Sequence, residues 1–327
     1  MKIRNRIVIF LILQELFFCV QAEAQRKPSR SSSFPSRETE GYVSAGFQLN
    51  AMNYFGDIPS GVSFTRPGAG VFVMRKISPR SHLRLSLNWG RLEGDDFSSA
   101  ENSGTYARNL HFRNDIVELT LVNTWDLIGS YGKYRKRVPF TPFLFFGFGL
   151  IHHNPQAKII LNQSTEWVDL QPLGTEGQGR PGYDAPYSKI QLVLPLGVGF
   201  KWSVNERLDI AIESGIRFTF FDHLDDVSGE YPNLDDLGNP LAASLSNRTL
   251  ESVSARTNST RNLEQAIAQF GVDAYIGFDG IRYETLGSFR RGESTRGNPS
   301  SHDLYFTTGI HFSYIINVGL KCPQFGW

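Results

Sequence analysis

Hydrophobic and polar residues alternate with a period of two in several stretches of this chain. In residues 207–221, Leu208, Ile210, Ile212, Ile216, Phe218 and Phe220 fall on one side, and Asp209, Glu213, Arg217 and Thr219 on the other. A period of two predicts a strand with one apolar face. Seven further segments carry strand composition at about ten residues or more: 42–53, 67–77, 82–93, 114–127, 139–152, 188–203 and 303–318. In 303–318, Leu304, Phe306, Ile310, Phe312, Tyr314, Ile316 and Val318 oppose Thr307, Gly309, His311, Ser313 and Asn317. Leu83, Leu85, Leu87 and Trp89 oppose Arg84, Ser86 and Asn88, and Ile190 to Trp202 repeats the pattern. Pro195 is awkward there, because it has no amide for a ladder.

The connections sort by length. "SPRS", "IGSYGKYRKR" and "VNE" are short, whereas the others run to about 13, 20, 35 and 80 residues, and short and long strictly alternate. That alternation predicts an all-β fold, an eight-stranded antiparallel transmembrane outer-membrane β-barrel with long extracellular loops and both chain ends periplasmic. Tyr54, Phe55, Trp89, Phe220, Phe221, Tyr305 and Phe306 cluster at the long-loop ends, and Trp125, Trp202 and Tyr314 towards the short turns, depths at which aromatic rings meet headgroups. A soluble eight-stranded barrel of lipocalin type would show the same alternation with the apolar face inward. Loop asymmetry and the terminal aromatics favour the membrane version, with outer-membrane lipids as its surroundings.

Composition sharpens this picture at the ends. Basic residues followed by "IVIFLILQELFFCV" and "AEAQ" read as a signal peptide over 1–24, and the basic, Ser/Pro-rich residues 25–40 as a disordered lead-in. Residues 41–320 form one barrel domain, with 222–302 a large extracellular insertion and 321–327 a periplasmic tail. Of 33 basic and 32 acidic residues, three and two fall in the first 24, so the remainder balances at 30 of each. A balanced charge gives no electrostatic case for nucleic acid. Only Cys322 follows residue 24, so no internal disulfide is expected.

An eight-stranded wall encloses a space that side chains fill. Arg84, Glu118, Lys201, Asp209, Glu213 and Arg217 are therefore expected to meet inside as an ion-pair plug, because buried charges persist only when paired. Function then belongs to the loops, the short turns or a surface enzyme site. His311 and Ser313 share a face of the last strand, a pairing that could deacylate lipid, but on the polar, inner side. Asp222, Asp225 and Asp226 form a weak calcium candidate without EF-hand spacing, and His152 with His153 lacks partners at zinc spacing. No cofactor and no small-molecule substrate is expected. "PLGTEGQGRPG" lacks the following helix that phosphate binding needs and reads as a self-packed loop. Within the fourth loop, "NPLAASL" starts a helix at Pro240. "STRNLEQAIAQFG" gives another, capped by Ser259 or Thr260 and stopped at Gly271, whose stripe Leu263, Ala266, Ile267 and Phe270 lids the barrel.

Six stretches then appear in order: "NYFGD" (53–57), "RNLHFR" (108–113), "TPFLFFGFG" (141–149), "LGTEGQG" (173–179), "LDDVSGEYPN" (224–233) and "RGNPSSHDLYF" (296–306). Together they resemble the PorG-like outer-membrane barrels of Bacteroidota, over about residues 41–318. The specific pieces are Gly174, Thr175, Glu176, Gly177 and Gln178, and Leu224, Asp225, Asp226, Val227 and Ser228. The resemblance implies a non-enzymatic component of the type IX secretion and gliding machinery that anchors a periplasmic ring lipoprotein and its soluble partner. Before "LDDVS" the family usually has Thr-Asp-Tyr, where this chain has Phe221, Asp222 and His223, and the fourth loop looks enlarged. Docking would use the short turns, above all Tyr131, Lys133, Tyr134, Arg135, Lys136 and Arg137. The same basic turn could equally serve to keep its end of the barrel out of the apolar band. A lipid A deacylase-like enzyme and a surface receptor or adhesin acting through the fourth loop are the alternatives.

Overall fold

A computed structural model of the protein describes residues 39–161, 164–287 and 289–321. The expected signal peptide, most of the lead-in, Cys322 and nearly all of the tail lie outside them. In chain order the elements are β1 (Glu40–Phe55), β2 (Arg66–Lys76), β3 (Ser81–Asp95), α1 (Gly104–Arg108), β4 (His111–Asp126), β5 (Phe140–His152), β6 (Pro155–Leu161), β7 (Ser164–Asp169), β8 (Ile190–Ser203), β9 (Leu208–Thr219), α2 (Pro240–Ser246), α3 (Leu263–Phe270), β10 (Val272–Ile276), β11 (Arg282–Leu286) and β12 (Leu304–Lys321).

Eight of these strands run antiparallel in the order β3-β2-β1-β12-β9-β8-β5-β4, and β4 pairs back onto β3, which closes the barrel. Each coincides with a segment of alternating sequence. β1 and β12 pair from Glu40–Lys321 to Phe55–Leu304, with shifts at Gly41/Tyr42 and Val43/Ser44. The β5–β8 ladder is interrupted opposite Pro195, between the pairs Phe146–Leu196 and Gly149–Val193. The missing amide thus costs local pairing without breaking the strand.

The apolar face points outward. Leu85 is 50% exposed while its neighbour Arg84 is 5% exposed. Leu49, Val71, Leu119, Phe148, Leu196 and Ile316 stand out from the same wall, whereas Gln48, Ser86, Glu118, Thr120, Glu213 and Thr307 are buried inside. A water-soluble barrel would invert this arrangement. Among the described residues no helix is long and apolar enough to cross a membrane. The wall itself is the membrane-facing element. Trp89, Phe220 and Phe306 sit outside at the long-loop end, and Trp125, Trp202 and Tyr314 at the short-turn end.

Tyr54 and Tyr305 depart from the expected belt. Both are fully buried, because they have the inward parity of their strands and their hydroxyls bond to internal carboxylates. They belong to an apolar cluster at the long-loop mouth with Ile58, Leu92, Phe112 and Leu224.

The long loops carry structure of their own. β6 and β7 form a hairpin that extends β4 beyond the wall, with Arg113 Cζ 4.0 Å from the Trp167 ring centroid. α2 begins at Pro240 as expected, capped by Asn239, whose side chain accepts from Leu241 N. α3 stops at Gly271, but its cap is Asn262, not Ser259 or Thr260. Ala266 on α3 packs with Ala107, Tyr231, Leu286 and Phe289, so the helix rests on other loops and not on the barrel wall.

Candidate functional site: a charged lumen between two closed mouths

The lumen brings the sequence-predicted charges together. Arg84 meets Glu213 through two bonds, Nη1 to Oε2 at 2.7 Å and Nη2 to Oε1 at 2.9 Å, and its guanidinium lies over Phe72 and Phe145. Arg217 lies 3.5 Å from Glu118, which also accepts from Asn88 at 3.0 Å and from Tyr305 at 2.5 Å. Towards the short turns, Lys201 pairs with Asp126 at 2.8 Å and Arg137 with Asp209 at 2.8 Å. Opposite charges at these distances offset the desolvation of each. A cavity of about 30 Å³ remains, lined in part by Arg84, Asp209, His311 and Ser313. That is room for about two water molecules. His311 and Ser313 are thus enclosed, with His311 Nδ1 against Arg84 at 3.2 Å, and neither reaches the lipid-facing wall.

At the long-loop mouth the motif residues, far apart in sequence, converge on one interlocked cap. Glu176 of "TEGQ" accepts from the amides of Ser228 (2.9 Å) and Gly229 (3.1 Å), and Thr175 donates to Asp226. Gln178 Oε1 accepts from Glu176 N at 3.0 Å, and Gly177, at φ +84°, turns the loop beneath the Tyr183 ring, where a Cβ would collide. Arg296 of "RGNPSS" reaches Asp226 O at 2.6 Å and Glu176 Oε1 at 3.1 Å. Arg108 of "RNLHFR" forks onto Asp96 at 2.7 Å in both bonds and donates to Asp57 O (2.9 Å) and Arg296 O (2.5 Å). Asn298 N closes the circle on Asp57 at 2.9 Å. Sequence reading singled out these motifs but not Arg108, Arg296, Asp57 or Asp303 within them. Their signal was weak, since a loop arginine or aspartate looks the same whether free or buried.

This packing occupies two of the three calcium candidates, Asp225 and Asp226, whereas the Asp222 carboxylate is buried without a hydrogen-bond partner among the described residues. Asp225 accepts from Ile58 N (3.0 Å) and Val227 N (2.9 Å), and Asp226 from Tyr187 at 2.7 Å. Among the described residues no group of three or more His, Cys, Asp or Glu is placed to hold a metal. Burial pushes Asp226 up to about 6 against the pull of Arg296. Burial, opposed by Ser228 and reinforced by the carboxylates of Asp57 and Glu176, pushes Asp222 up to about 7. His152 is exposed and His153 buried against Tyr187 and Phe221, so the two do not form a pair.

At the short-turn mouth the basic turn divides into two roles. Arg137 points inward: it donates to Tyr134 O (3.0 Å), Asn205 O (2.9 Å), Glu206 O (2.5 Å) and Asp209, which staples this turn to the next one. Tyr134 is buried against Tyr42 and Ile315, and its amide donates to Glu40 at 2.9 Å. Tyr131, Lys133, Arg135 and Lys136 remain exposed, with Arg135 pairing Glu206 at 3.2 Å across the surface. The structure therefore assigns Tyr134 and Arg137 to closing the mouth, and leaves four residues of the turn accessible.

An outward apolar wall closed around a lumen of paired charges defines an eight-stranded transmembrane β-barrel of the outer-membrane type. Residues 38–171 match a family model described as a domain of unknown function, DUF6089. No curated protein matches the sequence. Among solved structures the chain is similar to Ail, the attachment invasion locus protein of Yersinia pestis, in complex with the heparin analogue sucrose octasulfate. The identity is 8% and the TM-score 0.33, over 85% of this chain and 99% of that one. It is similar also to Neisserial surface protein A (9% identity, 83% of this chain and 95% of that one, TM-score 0.32). A third is the outer membrane protein OprG from Pseudomonas aeruginosa (7% identity, 86% of this chain and 98% of that one, TM-score 0.31).

Proposed function

We propose that this protein is a non-enzymatic anchor in the outer membrane, with its short turns in the periplasm, that holds the ring lipoprotein and soluble partner of the type IX secretion and gliding machinery. The observation that carries this reading is the exposed group Tyr131, Lys133, Arg135 and Lys136, presented on a turn that Arg137 holds in place. A fixed basic and aromatic knob loses little conformational freedom on docking and suits an acidic protein surface. The loop motifs that resemble those of PorG-like barrels support this choice of machine. Against a lipid hydrolase stand the burial of His311 and Ser313 and a neighbouring cavity too small for an acyl chain. The test is charge reversal of Lys133, Arg135 and Lys136 with Arg137 left in place. Loss of co-purifying ring lipoprotein from a barrel that still folds is expected, and undiminished co-purification would remove the assignment.

A second reading, a surface receptor or adhesin, draws on the β10–β11 hairpin. At its tip Phe278 is 98% exposed, flanked by exposed Ile276 and Ile281. The turn is braced by Asp235 accepting from Phe278 N at 2.9 Å and by Tyr283 donating to Asp279 at 2.6 Å. Replacing Ile276, Phe278 and Ile281 with serine would abolish surface attachment under this reading and leave the ring attachment untouched under the first.

A further inference from the structure

The long-loop mouth holds more acceptors than donors around one phenol. Tyr54 Oη lies 2.7 Å from Asp225 Oδ2 and 2.5 Å from Asp303 Oδ1, and the Asp57 amide donates to the same oxygen at 3.1 Å. A phenol has one proton to give, so it satisfies one carboxylate only. The amides decide which. Asp225 Oδ1 accepts from Val227 N and Oδ2 from Ile58 N, while Asp303 Oδ2 accepts from Leu224 N at 2.7 Å. Asp303 Oδ1 alone of the four oxygens has no amide facing it among these bonds. A proton on that oxygen would donate to Tyr54, and Tyr54 in turn to Asp225, which satisfies every atom.

We propose that Asp303 is protonated in the capped protein, and that the chain Asp303 to Tyr54 to Asp225 is a proton-dependent latch that fastens the fourth loop to the barrel. The latch joins β1, the loop after β9 and the residue just before β12. The charged groups around it do not replace the proton. Asp57 on the β1 side and Asp222 on the fourth loop add negative charge, and Glu176 lies beyond Asp57. Arg108 attracts Asp225, but it is engaged with Asp96, and Arg296 is engaged with Glu176 and the Asp226 carbonyl. Among the described residues neither Asp225 nor Asp303 has an ion-pair partner within 4.0 Å. With the proton gone, two buried carboxylates face each other across one hydroxyl, a repulsion that only undocking relieves.

The pH dependence has a definite sign. Burial holds one proton on the Asp225–Asp303 pair well above the usual carboxylate range, and the Asp225 charge adds to this at Asp303. A carboxyl raised on folding contributes stability that is complete in acid and lost as pH rises through the folded value. Opening of the cap therefore rises with pH above the ordinary carboxylate range, about tenfold per pH unit for one proton, and levels off once that proton is lost.

The test is native-state hydrogen exchange of the Ile58, Leu224 and Val227 amides in the full barrel, folded in phospholipid vesicles, from about pH 5 to about pH 9. Asp303→Asn keeps the acceptor for Leu224 N and offers Tyr54 a permanent N–H in place of the proton. Its opening should be less steep in pH than wild type by one proton, with protection retained at the alkaline end. Equal slopes in the two proteins would overturn the latch. Should Asp303→Asn not fold, the wild-type infrared spectrum decides. A protonated-carboxyl band at neutral pH that fades as the three amides open supports the proposal, and a spectrum without it overturns it. Neither arm involves the short-turn face, so failure here leaves the anchoring reading standing, and the reverse holds too.

Discussion

Arg84 and Glu213 show what a single residue contributes inside this barrel. Both are buried and paired bidentately, so removing one partner strands the other charge away from water. Arg84→Ala should lower stability by about 3–5 kcal/mol, whereas a double change of Arg84 to Met and Glu213 to Leu should recover most of it. Urea unfolding in vesicles measures both. Gly56 acts through space instead of charge. A Cβ there would fall within contact of both Asp303 Oδ1 and Tyr54 Oη, so Gly56→Ala should loosen Leu224 and Val227 amides while the barrel melts at an unchanged temperature. The burial and pairing of Arg84 and Glu213 were legible in the sequence, whereas the role of Gly56 was not. "NYFGD" marked Gly56 as part of a motif, but the partner at Asp303 is 247 positions away and nothing local announces it.

Elements were legible where one periodicity ran undisturbed. The barrel strands could be read from strand composition and alternation together, less cleanly for β2 and β5, because a wall between lipid and a charged lumen imposes opposite demands on successive residues. Inside the loops no such boundary exists, and the hairpins β6–β7 and β10–β11 were not anticipated. The same limit explains Tyr54 and Tyr305: position near a strand end suggested a headgroup belt, but parity sends them inward. The basic turn shows a third case, since six tyrosine, lysine and arginine residues within 131–137 divide into a staple and a presented surface. Arg137→Ser should free this turn, giving new protease cuts between Tyr131 and Pro139, while reversal of Lys133, Arg135 and Lys136 should leave the turn as resistant as before.

The whole molecule is organised by the inversion of polarity across its wall. An arginine at Leu85, half exposed on the outer face, should cost about 2–4 kcal/mol in a bilayer if it sits near the midplane. The adjacent Ser86, on the luminal side, reports packing instead of lipid contact, and unfolding in vesicles separates the two. Closure of the wall also has a consequence for how the chain comes to be built. The first strand is flanked by the second and by the last, with Glu40 opposite Lys321. A nascent chain therefore carries an unsatisfied row of amides and carbonyls on β1 until β12 arrives, and any shorter product would present two raw edges to its neighbours. Closure of the wall therefore waits on its last strand, and a factor that shields or guides that first edge would act before β12 has paired with it.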